Sequence, residues 1–174
     1  LQNNELIHTD LFVLSTSQSD ISDQLAIKFI EKDLEQSALS ITIKGDLKNK
    51  NYAFQKFTSE GPLAFLPYSN NEASVVWSLK NSSQILLKDT QELNQIINEH
   101  LSDQANSMNI VSVEKHRLRF VYAKNLYYNC TVLLGNIAHN IHPIAGQGLN
   151  LSIKDIAMFV KKVRKNKSLG YRIN

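Results

Sequence analysis

Apolar and polar positions alternate most regularly between residues 39 and 79. Residues 39–43, L-S-I-T-I, read as a half-buried strand. Ala73, Val75, Trp77 and Leu79 share one face of another strand, and 52–57 and 63–68 read as two more. Residues 45–51 are polar, and 69–72 are rich in Ser and Asn, so both predict turns. Neighbouring strands with short links predict a mostly antiparallel sheet. The period then becomes helical over 89–101, where Leu93, Ile96, Ile97 and Leu101 form a stripe and Asp89 with Glu92 resembles a capping box. Residues 111–123 predict a long strand or strand pair, with Leu118, Phe120 and Tyr122 alternating against Arg117, Arg119 and Val121. Short apolar runs at 11–14 and 131–134 predict two further strands. Beyond Gly135 and Asn136 comes a polar loop, then a helix from near Leu149 that aligns Leu149, Ile153, Ile156, Val160 and Val163. Lys161, Lys162, Arg164 and Lys165 crowd its last turn, where cations suit the helix dipole. The polar tail is expected to fray.

Composition narrows the class. A chain of 174 residues, 43% hydrophobic and 20% charged, suits a globular domain or part of a larger one. The net charge of +3 is small and the basic residues are not interleaved with aromatics, which argues against a nucleic-acid surface. The lone Cys130 rules out an internal disulfide and fits a reducing compartment. No 18-residue apolar run is present. Asn81, Asn129 and Asn150 open glycosylation-type triplets that read as chance matches.

The candidate chemistry lies between Gly135 and Asn150. Gly146 and Gly148 let backbone approach a ligand with no Cβ in the way. A helix start beyond them offers unpaired N–H groups and partial positive charge. Asn136 is placed to hydrogen-bond a sugar-like hydroxyl. That combination suits a flat, electron-rich ligand with polar edges. His139 and His142 form H-x-x-H without a third ligand nearby, a weak metal signal, so loop-orienting histidines are the expectation and no metal is assigned. No Ser sits in a G-x-S-x-G elbow.

The run G-N-I-A-H-N-I-H-P-I-A-G-Q-G-L-N-L, 135–151, resembles the second FAD-binding motif of the class A flavoprotein aromatic hydroxylases. Within them it is most similar to the ubiquinone-biosynthesis hydroxylases, whose pattern is G-[DN]-A-A-H-x-x-H-P-[IL]-A-G-Q-G-x-N-L. A second segment, F-T-S-E-G-P-L-A-F-L-P-Y at 57–68 followed by S-V-V-W at 74–77, resembles the family's F-T-x-x-G-P-L-A-x-L-P and its S-x-V-W strand. The resemblance covers residues 11–165. Its departures are specific. The family's G-A-D-G-x-x-S-x-[VI]-R falls on Val13 to Ser22, with Ser15 at the Asp position and Ser22 at the Arg position, while Ser19 and Ile21 keep the pattern. The family's G-x-G-x-x-G, which holds the ADP half of FAD, does not occur.

The resemblance implies an α+β fold. It predicts a mostly antiparallel substrate-domain sheet at 36–125 containing the 89–101 helix, and a flavin-contacting strand–loop–helix at 126–166. Residues 1–35 would be a remnant of the FAD-domain strand and link, and 167–174 the tail. The whole would be a para-hydroxybenzoate-hydroxylase-like enzyme without its N-terminal Rossmann part. Gly135, Asn136, His142, Pro143, Gly146, Gln147, Gly148, Leu149 and Asn150 are expected at the cofactor, with Gly148, Leu149 and Asn150 offering backbone N–H groups. Phe65, Pro67 and Trp77 are candidate substrate contacts, against the plain alternative that Phe65 and Trp77 are sheet core. No catalytic side chain is expected, because FAD, reduced by NAD(P)H, carries the chemistry. The implied activity is O2-dependent hydroxylation of a polyprenylated phenol in ubiquinone biosynthesis. The chain would be a fragment of that monooxygenase, cytoplasmic, with peripheral contact at the inner membrane and contacts to other ubiquinone-biosynthesis proteins. The alternative is a non-catalytic remnant or scaffold subunit, which the altered Asp position favours.

Overall fold

The structure is a computed structural model that describes residues 8–15, 27–143 and 146–171. It divides into two compact units, Asp33–Leu118 and Leu1–Lys32 with Arg119–Asn174.

In the first unit, strands β2 (Phe29–Leu47), β3 (Phe54–Phe57), β4 (Pro62–Pro67), β5 (Glu72–Lys80) and β6 (Ala105–Ala123) lie in the order β3-β4-β5-β2-β6. The β3–β4, β4–β5 and β5–β2 pairs are antiparallel, as the alternation predicts. Register brings apolar positions onto one face: Leu39 opposes Trp77, Ile41 opposes Val75, and Trp77 in turn opposes Leu63. Helix α1 (Thr90–His100) covers that face with Leu93 and Ile97, and Leu101 follows. The Asp89 carboxylate accepts from the Glu92 N–H at 2.9 Å, and the Glu92 side chain accepts from the Asp89 N–H at 3.3 Å, so the capping box is present. Ile41, Leu63, Phe65, Val75, Trp77 and Ile97 are completely buried, each worth roughly 1.5–3 kcal/mol in removed apolar surface.

The F-T-S-E-G-P segment is the brace of this unit. Thr58 and Gly61 exchange backbone hydrogen bonds at 3.0 and 3.2 Å, and the Thr58 hydroxyl donates to the Gly61 carbonyl at 2.8 Å. The Trp77 indole N–H donates to the same hydroxyl at 3.3 Å, and Ser83 donates to Glu60 at 2.6 Å. Gly61 has φ +142°, and a Cβ there would stand 2.1 Å from the Ser78 carbonyl oxygen, so only glycine fits.

Strand β2 starts ten residues before the predicted one. Its early part is polar and carries no alternation to read. Asp33 Oδ1 accepts from the Glu35 N–H, and Glu35 takes φ +54°, a local turn inside the strand.

In the second unit, β1 (Phe12–Leu14), β8 (Thr131–Leu133) and β7 (Tyr127–Tyr128) form a small sheet in the order β1-β8-β7. β1 runs parallel to β8 with Phe12 opposite Thr131, and β7 is antiparallel to β8. β9 (His139–Asn140) pairs with the end of β6, Tyr122 opposite His139. A compact core of Leu14, Ala123, Leu133, Ile137 and Ala138 is joined by Ile27 and Phe29. Helix α2 runs from Gln147 to Ser168, longer than predicted, and Gly170 at φ +74° follows it.

The expected stripe of α2 lies on one face, and most of it is exposed. Leu149 is 70% exposed, Ile153 54%, Ile156 50% and Val160 38%. The half-buried positions are Gly148, Leu151, Ser152, Asp155, Phe159 and Val163, about a quarter-turn away. Periodicity located an apolar face correctly, but of its residues only Val163 also lies on the face the helix turns to its own unit. Among the described residues, no helix is long and apolar enough to cross a membrane.

Candidate functional site

The predicted cofactor residues share one strand–loop–helix within the second unit. β8 delivers the chain into a 3-10 turn, Gly135–Ile137, which Gly135 enters at φ +72°. Asn136 is exposed in that turn, while Ile137, Ala138 and His139 are buried. His142 and Pro143 are half-buried. Ile144 and Ala145 lie outside the described residues. Gly146 then adopts φ +60°, ψ +28° as the N-cap of α2, with its N–H on the Pro143 carbonyl at 3.3 Å.

The start of α2 is chemically open. Gly146 has no side chain and the N-cap makes no side-chain hydrogen bond. The first N–H groups of an α-helix have no intrahelical partner, and the dipole adds positive potential there. Gln147, Leu149 and Asn150 are exposed and Gly148 is half-buried. Nothing lies within 4 Å of where a Gly148 Cβ would stand, and its φ needs no glycine. Among the described residues nothing requires glycine at 148. It lowers helix propensity by up to about 1 kcal/mol relative to Ala. A bare helix start flanked by glycine suits an electron-rich ligand edge approaching the backbone closely, so the donor set fits the carbonyl and nitrogen edge of a flavin.

Burial lowers the pKa of His142, so the ring is neutral at neutral pH. The second histidine of the loop has a different role. His139 Nε2 lies 2.5 Å from Asp155 Oδ2 on α2. This pair is sixteen residues apart and no local spacing announces it. No group of three or more His, Cys, Asp or Glu side chains converges as a metal site among the described residues.

The candidate substrate residues are placed elsewhere. Phe65 and Trp77 are completely buried in the core of the first unit, beneath α1. Trp77 meets the His100 ring edge-on at 5.0 Å. They have the sheet-core position that the alternation allows, with no surface left for a ligand. Pro67 is half-buried at the end of β4. Ser15, at the position where the resemblance places Asp, is exposed just after β1, while Thr16, Ser19, Ile21 and Ser22 lie outside the described residues.

Comparison with known proteins agrees with this architecture. The family model of the FAD binding domain matches residues 17–166. The chain is similar to the 3-demethoxyubiquinol 3-hydroxylase of Escherichia coli K12, 27% identical over 173 residues, covering 98% of this chain and 44% of that protein. It is also similar to the ubiquinone hydroxylase UbiL of Rhodospirillum rubrum, 25% identical over 138 residues, covering 78% of this chain and 32% of that protein. Among solved structures it resembles PqsL of Pseudomonas aeruginosa, described as a probable FAD-dependent monooxygenase, with a TM-score of 0.72 and 16% identity over 94% of this chain and 48% of that one. The chain thus spans less than half the length of these relatives.

Proposed function

This chain belongs to the FAD binding domain family, and we propose that it is part of a FAD-dependent monooxygenase of ubiquinone biosynthesis. The substrate is a polyprenylated phenol, NAD(P)H the reductant and O2 the oxygen source. The relatives' names support the pathway, and the open start of α2 is the observation that carries the cofactor site.

FAD, when bound, supplies the oxygen-transfer chemistry. The chain supplies recognition. The donors that the resemblance implies are Gly148, Leu149 and Asn150; with Gly146 as N-cap the first three helical N–H groups are those of Gln147, Gly148 and Leu149. These would donate to the electron-rich edge of the ring, where each hydrogen bond to a charged group is worth ~1.5–3 kcal/mol. The exposed Asn136 side chain would hydrogen-bond a hydroxyl of the sugar-like chain. Neutral His142 and Pro143 wall the loop and exclude water. No side chain of this chain acts as nucleophile.

The exposed α2 stripe is the surface that the rest of such an enzyme covers, whether on the same chain or a second one. The resemblance assigns the dinucleotide cradle to that remainder, so these 174 residues by themselves should bind FAD weakly or not at all. A greasy substrate tail and the basic end of α2 would favour a peripheral position of the assembly at the inner membrane. A second reading, a non-catalytic scaffold subunit, is favoured by Ser15 at the family's Asp position.

The test is a chimera in which this chain replaces the aligned part of the E. coli hydroxylase, assayed for NAD(P)H-dependent hydroxylation of a prenylated phenol. Turnover supports the enzyme. Bound FAD without turnover, restored by Ser15→Asp, supports the remnant. A chimera that folds without binding FAD, with or without Ser15→Asp, rejects the cofactor site and leaves the scaffold reading.

A further inference from the structure

Helix α2 has no fully buried residue, although it is the longest helix described. Its inward face begins with Gly148, Leu151, Ser152 and Asp155, of which only Leu151 offers a sizeable apolar side chain, and that one is half-buried. Against it stands the 3-10 turn at Gly135–Ile137, close enough that a Gly135 Cβ would lie 3.6 Å from the Ser152 hydroxyl. The Ser152 hydroxyl is itself turned back to the Gly148 carbonyl at 3.0 Å and ties nothing across the gap. The polar link between the helix and β9 is the bond from His139 Nε2 to Asp155 Oδ2 at 2.5 Å.

His139 is well fixed. It is 9% exposed, and β9 pairs it with Tyr122 of β6. The neighbouring Ala138 carbonyl accepts from the Ala123 N–H at 2.9 Å. Asp155 accepts, so His139 Nε2 carries the hydrogen. Its buried Nδ1 has no hydrogen-bond partner among the described residues. A hydrogen on Nδ1 would be a buried donor without an acceptor, which is the costlier arrangement. The carboxylate therefore fixes both the tautomer and the ring's orientation.

We propose that His139 and Asp155 are the positioning pair of this site: the bond between them, not the apolar face of α2, sets where the helix start stands. The pair ties β9 to α2 across the loop that carries His142, Pro143 and Gly146, with Gly148 in the first turn of the helix. Its relevance to flavin rests on the cofactor reading above, whereas its effect on the helix does not.

The experiment uses the full chain, isotope-labelled, with three readouts. The His139 ring nitrogens report the Nε2–H tautomer in the parent protein. In Asp155→Ala that signature is lost, and amide exchange across residues 151–158 rises ~10- to 100-fold, the scale of one hydrogen bond to a charged group. Exchange across 73–79, in the other unit, is unchanged. Asp155→Asn keeps an acceptor oxygen for Nε2–H and recovers most of the protection, which a general packing defect would not do. In the chimera, FAD affinity falls in Asp155→Ala and returns in Asp155→Asn. Unchanged exchange at 151–158 in Asp155→Ala overturns the proposal, as does a His139 ring protonated on Nδ1 alone. If exchange follows the variants but no form binds FAD, the positioning pair stands and the cofactor reading fails.

Discussion

Two helices show the same sequence signal and opposite fates. In α1, the periodic positions Leu93 and Ile97 are buried against the β2–β5 sheet of the same unit. In α2, the periodic positions Leu149, Ile153, Ile156 and Val160 remain exposed. The glycines repeat the contrast. Gly45 and Gly61 are demanded by the fold, because a Cβ would stand 2.0 Å from the Ser107 carbonyl oxygen or 2.1 Å from that of Ser78. Gly148 meets nothing. One unit uses its special residues to satisfy itself. The other carries an exposed apolar face, a helix start with no side-chain cap and a glycine that no described residue requires.

The largest expected effect that could break this comparison is at Gly61. Gly61→Ala places a methyl against a backbone carbonyl at a disfavoured φ, and should destabilise the 33–118 unit by ~3–5 kcal/mol from overpacking plus backbone strain. Trp77 is the single tryptophan and lies in that unit's core, so its fluorescence follows the loss. Ile97→Ala should cost ~2–5 kcal/mol by the same probe, as a fully buried truncation does. A loss below 1 kcal/mol at both positions would show that this unit is not self-sufficient.

Smaller effects sharpen the contrast. Asp89→Ala removes one half of the capping box and should cost ~1 kcal/mol. His100 has its pKa lowered by burial first, then by the charge of Lys56. The unfolded chain therefore takes up the proton before the folded one does. This contribution to stability is whole above pH ~6.5. It is lost as pH falls through the lowered folded value. His100→Gln should flatten the decline in urea midpoint between pH 7 and pH 5; an unchanged slope would assign the decline to other groups. The smallest effect is at Ile153. Ile153→Ala should change stability by no more than ~0.5 kcal/mol in the isolated chain, despite the same periodicity as Ile97.

Much of this was legible in the residues. Alternation across 73–79 and the Asp89–Glu92 spacing specify structure through local physics, so strand, helix and cap stand where expected. What was not legible depends on partners distant in sequence. Strand parity separates Phe65 and Trp77 from Ala64 and Val76 but does not say which face meets α1. The apolar stripe of α2 declares a buried face without saying what buries it. The two-residue strands β7 and β9 owe their pairing to β8 and β6, not to propensity. The His139–Asp155 bond joins a strand to a helix across a loop, and a histidine in an H-x-x-H run points to metals before it points to a carboxylate. The polar start of β2 turns on Asp33 and Glu35, which read as surface charge.

The claim that the α2 start serves a flavin is tested most directly by FAD occupancy of Gly148→Val in the chimera with the E. coli hydroxylase, measured beside the thermal midpoint of the isolated chain. Flavin should be lost with hydroxylation while the chain's midpoint stays within a few degrees, because a side chain at Gly148 meets nothing among the described residues. Full flavin occupancy and turnover in Gly148→Val would contradict it.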